Sequence, residues 1–506
     1  MSDSRIGEGN ARHVAHAARS PLLRLILLGL VLGFAFQGTR GLWSPDEGRY
    51  VDGALQMLDS GNYLAPGYSP DRVNFSKPPV TYWIIAASIR VFGRNTWAAR
   101  MPYALAFVLT LWLLYAMGKQ LTPEKPWLPG LVYACAIFPF FATNIISTDV
   151  FLTLFEALAM FGFMRWAFTQ NGRERRRYAW LMWLGFGLAF MTKGPPGLTP
   201  LLAVVPFIVG RDGWRGLGRL FSPLGLCIFF VVALFWYLVA VLRYPWLVRY
   251  FLDQEVYQRL FTAVQRRHPG AFGWLVVYLP TLVLGSLPWW PKLIREMRAA
   301  ASFRKWKRWR QEHTVEFFLA LWFFVPLVMF CLVQSRLPLY ILPLFLPLSL
   351  LLALALRKKI NLGKARQRAW LCAWVIVLLA LKGGIAYFVH STDDNRLAAR
   401  QLAALTHPYS YSAVAFIEST DLDYDVEEQT PWGMRLYVDK PIYGIAWRSS
   451  QSNTALCRAL RDGSTLLVVD PPLRPDALKP ALAGCAVRDV VRLGKWRNSA
   501  LEWVQS

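Results

Sequence analysis

The sequence has little with which to build a metal centre. It holds six histidines and six cysteines in 506 residues. His13, His16, His268, His313, His390 and His407 form no i, i+4 pair beside a glutamate, and no cysteine pair has zinc spacing, which argues against hydrolytic zinc chemistry. No G-x-x-x-x-G-K-[ST] loop is present, so the chain is not expected to consume nucleotide triphosphate itself. Acid is scarce too, 31 Asp and Glu against 56 Lys and Arg. The resulting net charge of +25 does not point to nucleic acid, because the basic residues fall in short blocks between apolar runs, as they do in cytoplasmic loops of membrane proteins.

What is abundant is apolar sequence. The chain is 55% hydrophobic and 15% aromatic, with a mean hydropathy of +0.31, too greasy for a soluble protein. A bilayer core of ~30 Å asks for roughly 20 apolar residues per helix. Eleven stretches meet this loosely, near 21–39, 99–117, 127–145, 150–168, 179–192, 198–210, 222–242, 273–291, 315–333, 339–356 and 369–389. The first follows a basic segment without a small-residue cleavage pattern and reads as an uncleaved span.

The cations set the orientation. Residues 173–177 hold four arginines, 292–310 eight Lys or Arg against one Glu, and 357–368 six with no acid. By the positive-inside rule these loops and the N-terminus are cytoplasmic. Loop 40–98, the turns near 143–149 and 192–196, loop 243–272, the turn at 334–338 and the tail after 390 then face outward. Eight of the 17 acids before residue 390 lie on that outer side: Asp46, Glu47, Asp52, Asp59, Asp71, Asp149, Asp253 and Glu255. Glu156, seven residues beyond Asp149 on the same helical face, lies deeper in apolar sequence and needs a cavity or a partner there.

The tail 390–506 carries 13 Lys or Arg against 14 Asp or Glu and reads as a small soluble domain. Ala413 to Ile417, Arg435 to Val438 and Thr465 to Val469 resemble short strands, and Asn453 to Arg461 and Pro475 to Ala483 helices, giving an α/β fold. Cys135, Cys227, Cys331 and Cys372 fall in predicted spans, whereas Cys457 and Cys485 are the only two outside, so an oxidising compartment would join them.

Polar chemistry concentrates in Trp43 to Trp83, where Asp46 and Glu47 open the stretch and Lys77 closes it. A solvated loop between spans explains any one of these. The outward segments together supply the acids Asp46 and Asp149, the cations Lys77, Lys193, Arg259, Arg266, Arg267 and Arg336, and the phenols Tyr82 and Tyr340, a set suited to phosphate.

SPDEGRYVDGALQMLDSGNYLAP at 44–66 and NFSKPPVTYW at 74–83 resemble the first outer loop of bacterial aminoarabinose-transferase-like lipid-linked glycosyltransferases, in the dolichyl-phosphate-mannose protein mannosyltransferase superfamily. STDVFLTLF at 147–155, MTKGPPG at 191–197, EVYQRLF at 255–261 and SRLPLYILP at 335–343 are similar to its other motifs in order, spacing and placement. The resemblance implies a GT-C fold: an all-α polytopic membrane protein of about 11 to 13 transmembrane helices with a small C-terminal α/β periplasmic domain. Residues 1–389 would form the transferase domain, with periplasmic loop 40–98, and 390–506 the soluble one. It also implies transfer of a monosaccharide from a polyprenyl (undecaprenyl) phosphate donor to lipid A or a similar envelope acceptor, at the periplasmic face of the bacterial inner membrane. The catalytic acids would be Asp46 and Asp149, with Glu47 beside them. Lys77, Tyr82, Lys193, Arg259, Arg336 and Tyr340 would bind donor phosphate and substrate.

Three positions depart from the family's pattern. Ser76 replaces the glutamate before Lys-Pro-Pro, Val256 a histidine after Glu255, and Arg336 the lysine of the S-x-K-L-P motif. Glutamate and histidine at the first two places can hold a metal, so no cofactor is expected, although His268 lies nearby. Transfer to a protein or another glycan from the same donor is the nearer alternative. A transporter or flippase would show internal repeats, and none is evident.

Overall fold

A computed structural model describes residues 21–70, 72–251, 253, 268, 270, 272–289, 314–389, 391, 393–461 and 463–505. The basic loop 292–310 and the motif 255–261, with Arg259, lie outside the described residues. Each of the eleven apolar stretches is helical at least in part, as a backbone in hydrocarbon must satisfy its own hydrogen bonds. Six helices among the described residues are long and apolar enough to cross a membrane: Thr96–Leu121, Asp149–Phe168, Pro223–Arg243, Thr314–Leu332, Pro338–Leu356 and Ala365–Phe388. Pro21–Phe34, Val80–Phe92 and Gly273–Gly285 are shorter. The stretch 127–145 is two short helices, Leu128–Cys135 and Ile137–Ala142, because Ala136 between them is extended (φ −75°, ψ 132°).

The chain divides into two compact units. One comprises Met1–Ala35 and Tyr103–Gly383, the other Phe36–Pro102 and Gly384–Ser506. In the first, helices Asp149–Phe168 and Gly172–Lys193 pack closely through small residues. A Cβ on Gly185 would sit 2.5 Å from the Ala159 nitrogen, and one on Gly162 would sit 2.6 Å from that of Met182. Such approach lets backbones gain dispersion contacts where the hydrophobic effect between helices is absent. The buried Lys382 ammonium donates to the carbonyls of Leu32 (3.1 Å) and Gly33 (3.2 Å), two of the carbonyls left unpaired at the end of the first helix.

In the second unit the polar stretch packs on the tail. It contains the helix Asp46–Ser60, a two-stranded ribbon of β1 (Gly67–Ser69) and β2 (Arg72–Val73), and the helix Val80–Phe92. The tail sheet has β3 (Ala413–Glu418), β4 (Ile442–Ala446), β5 (Thr465–Val469), β6 (Asp489–Trp496) and β7 (Ser499–Gln505) in the order β4-β3-β5-β7-β6. β3 runs parallel to β4 and β5, and β7 pairs antiparallel with β5 and β6. Gly48 is required at the seam, since a Cβ there would lie 1.5 Å from the Trp432 carbonyl oxygen. Arg435 ties the two segments, donating to Gln56 (2.7 Å) and Asp59 (2.6 Å).

One expectation about the tail needs correction. Residues 435–438 form a short helix, ending on Asp439 in the left-handed region, and the second strand is Ile442–Ala446. The hairpin β6–β7 had no prediction; β6 is largely exposed and lacks the apolar run that marks the buried strands. Cys457 and Cys485 do form a disulfide, with Cα atoms 4.9 Å apart.

Gly185→Leu should destabilise the first unit by about 1–3 kcal/mol or more through overpacking, read as a lowered unfolding midpoint in detergent. An unchanged midpoint contradicts the close packing.

Candidate active site

Asp46 and Glu47 are sequence neighbours with opposite surroundings. The Asp46 side chain is 61% exposed and pairs with Arg49, which also donates to Glu428 at 2.9 Å. Glu47 is buried. Arg40 grips both its oxygens (2.6 and 2.7 Å), Arg100 donates at 2.7 Å and the Trp43 N–H at 2.9 Å. Burial alone would raise the Glu47 carboxyl; the Arg100 and Arg40 guanidiniums outweigh it and hold it at about 2 against an ordinary 4.5. This clasp fixes the start of the helix that carries Asp46. Arg100 carried a sequence signal that went unused, a cation inside an apolar stretch.

Asp52, on the same helix, is fully buried and accepts from the Gly433 N–H at 2.7 Å. Burial pushes its carboxyl up to about 7, only partly offset by that N–H and by Arg435. Glu418 on β3 is likewise raised to about 7, by burial and then by Asp470, with the Thr430 hydroxyl pulling the other way. Lys77 is half-buried, and its ammonium donates to the Ser76 carbonyl at 3.2 Å. Tyr82 is 1% exposed, its ring 5.5 Å from that of Tyr50, and it lies against Gly53, where a Cβ would sit 2.7 Å from the ring.

In the first unit three of the sequence motifs converge. Asp149 opens the helix Asp149–Phe168, where a carboxylate meets the positive end of the helix dipole. Lys193 closes the helix Gly172–Lys193, which stops there because Gly194 is left-handed (φ 72°) and Pro195 and Pro196 follow. Its ammonium pairs with the Asp149 carboxylate and lies 4.4 Å from the centre of the Tyr340 ring. Asp149, Lys193 and Tyr340 are thus one cluster. Arg336 is 3% exposed and donates to the carbonyls of His268, Gly270 and Cys331, each at 2.9 Å. No carboxylate among the described residues pairs with it. It borders a largely apolar cavity of about 690 Å³ lined also by Trp274, Leu327, Val328, Cys331 and Leu332.

Tyr278 and Glu156 flank this cluster. Tyr278, for which the sequence offered no signal, is 1% exposed, has a hydroxyl without a hydrogen-bond partner among the described residues, and interacts electrostatically with Tyr340, Arg336 and Asp149. Glu156 is 1% exposed and lies near Thr199, Lys193 and Asp149. Its Oε1 has no hydrogen-bond partner among the described residues. Among the described residues no three His, Cys, Asp or Glu side chains group as metal ligands.

The fold, long membrane helices plus a small mixed sheet with paired charges at helix ends, defines the class, a multi-pass membrane protein of GT-C architecture. Residues 76–282 match the family described as dolichyl-phosphate-mannose-protein mannosyltransferase. The chain is similar to an undecaprenyl phosphate-α-4-amino-4-deoxy-L-arabinose arabinosyl transferase of Aeromonas salmonicida, 30% identical over 76% of this chain and 69% of that one. It is similar also to arabinosyl transferase 2 of Pseudomonas fluorescens Pf0-1, 32% identical over 68% of this chain and 60% of that one, and so spans less than two thirds of that relative's length. The fold matches the crystal structure of ArnT from Cupriavidus metallidurans bound to undecaprenyl phosphate, with a TM-score of 0.70 and 18% identity over 95% and 97% of the two chains. The chain belongs to the undecaprenyl phosphate-aminoarabinose arabinosyl transferase family.

Two consequences of the buried acids can be measured. Glu47→Gln leaves Arg40 and Arg100 without their counter-charge and should cost about 3–5 kcal/mol, measured by denaturant unfolding in detergent. The raised carboxyls act through pH: Asp52 binds a proton in the folded state up to about 7 but in the unfolded state only near its ordinary 3.8, so stability falls as pH rises between those values. Asp52→Asn should flatten that slope, worth up to about 4 kcal/mol, in the unfolding midpoint followed from pH 4 to 8. A slope that persists unchanged in the variant contradicts the assignment.

Proposed function

We propose that this chain is a glycosyltransferase that moves a monosaccharide from undecaprenyl phosphate to a lipid A phosphate. The observation that carries the reading is the Asp149–Lys193–Tyr340 cluster, in the same unit as a buried Arg336 that bonds only carbonyls among the described residues and borders an apolar cavity. A lipid-linked phosphate needs an apolar surface for its chain and a cation for its head. The relatives' names supply the sugar class, 4-amino-4-deoxy-L-arabinose.

In the reaction the bond between the anomeric carbon and the donor phosphate oxygen breaks, and its electron pair leaves with undecaprenyl phosphate. An oxygen of the acceptor phosphate forms the new bond to that carbon. Positive charge develops on the sugar and negative charge on the leaving group, so preorganised groups of both signs lower the barrier. Arg336 and Lys193 serve the leaving phosphate and Asp149 the sugar. Asp46 orients the acceptor, which as a phosphate needs little deprotonation, while Lys77 and Arg259 contact donor phosphate. Tyr82 and Tyr340 line the substrate. Glu47 is assigned a positioning role, because both its oxygens are taken by arginines. The unequal basic loops support a cytoplasmic N-terminus and a periplasmic C-terminal domain in the inner membrane.

Asp149→Asn, Lys193→Met and Asp46→Asn should each lower transfer to lipid A in membranes by about a hundredfold or more. Near wild-type transfer in all three contradicts the site. Loss of transfer to lipid A with retained transfer to protein or another glycan would move the acceptor and keep the donor.

A further inference from the structure

One end of the first unit carries a basic shelf that the reaction does not use. The last residues of the helices Asp149–Phe168 and Leu201–Leu220 meet there with the start of the helix Gly172–Lys193. Arg211 donates to the Ala167 carbonyl at 3.1 Å, Arg175 pairs with Asp212 at 3.7 Å and Arg165 with Glu174 at 3.9 Å. Residues 165–177 and 211–219 together hold eight arginines, no lysine and two acids. Those acids, Glu174 and Asp212, are taken by Arg165, Arg175 and Arg211. Arg173, Arg176, Arg177, Arg215 and Arg219 are exposed and form no ion pair among the described residues.

Scattered cations are ordinary in the loops of a membrane protein. Three features set these apart. They are crowded against their own electrostatics: Arg173, Arg175, Arg176 and Arg177 open the helix Gly172–Lys193, the end at which the dipole disfavours a cation, and Arg175 is repelled by Arg211 and Arg219. They are built on fixed supports, with Arg175 lying 4.4 Å from the centre of the Trp166 ring and Arg165 4.9 Å from that of Tyr178. Beside them Trp214 is 75% exposed, just after Gly213 breaks its helix (φ 66°, ψ −171°). A bare indole among guanidiniums suits a segment at the membrane–water boundary, with the ring at headgroup level and the cations over it.

We propose that this shelf is a docking surface for anionic phospholipid headgroups, whose phosphates the unpaired arginines share while Trp214 sits among the glycerol and upper acyl groups. Charge complementarity selects the occupant, and the all-arginine composition selects phosphate, which a guanidinium fork can grip with two hydrogen bonds. The surface goes beyond the transfer reaction and depends on neither its sugar nor its acceptor.

The test gives the full chain in detergent equal amounts of phosphatidylglycerol and phosphatidylcholine and counts the lipids it retains by native mass spectrometry. Wild type should retain phosphatidylglycerol over phosphatidylcholine by about tenfold or more, since several arginines contribute. Arg176→Gln, Arg177→Gln, Arg215→Gln and Arg219→Gln combined should lose that preference while keeping phosphatidylcholine, which reports that the variant is folded. Arg366→Gln with Arg368→Gln, which removes exposed charge from the basic block 357–368, should leave the preference unchanged. Equal retention of both lipids by wild type, or a preference that survives in the combined variant, would overturn the proposal. An equal loss in the Arg366 and Arg368 variant would overturn it in favour of net charge alone, and loss of both lipids from the combined variant in favour of a structural role. Displacement of phosphatidylglycerol by inorganic phosphate would assign the arginines to a soluble anion and overturn it too.

Discussion

The pairing of Lys193 with Asp149 is the constraint on which the first unit depends. Both groups sit at helix ends in a largely apolar unit, and each alone would be an expensive charge. Together they hold the ends of two helices in register, and the glycines at 162 and 185 let the same helices approach closely enough for the pair to form. Tyr340 lies over the ammonium and recruits a third segment. The polar cluster thus forms because the helices pack tightly.

The second unit solves a different problem, how to give an otherwise irregular segment one conformation. Its answer is the clasp of Arg40 and Arg100 on Glu47, reinforced by the seam where Gly48 meets Trp432 and by Arg435 on Asp59. Asp46 is left exposed one residue away from the buried Glu47. The neighbours divide: one acid fixes the backbone, and the other faces outward, paired with Arg49.

Much of this was legible in the sequence, and the reasons are specific. Apolar runs of helical length announced the membrane helices, and STDVF, TKGPPG and RLPLY announced the segments that meet at Lys193. The pair Cys457 and Cys485 could be read by elimination. What was hidden was mostly tertiary. Nothing in DEGRY says that Glu47 turns inward and Asp46 outward, since that depends on arginines seven residues before and 53 after. Residues 435–438 have the β-branched and aromatic composition of a strand but form a helix, local propensity yielding to context. Tyr278 was invisible because its helix reads as uniform grease, and only the fold shows its hydroxyl buried without a hydrogen-bond partner among the described residues.

The account stands or falls on where the sugar goes. The purified chain in liposomes, given undecaprenyl phosphate-linked 4-amino-4-deoxyarabinose and lipid A, should add one sugar to lipid A for each undecaprenyl phosphate released, read by mass spectrometry of both lipids. Donor that is left unconsumed, or that crosses the bilayer without any gain of mass on lipid A, would contradict it.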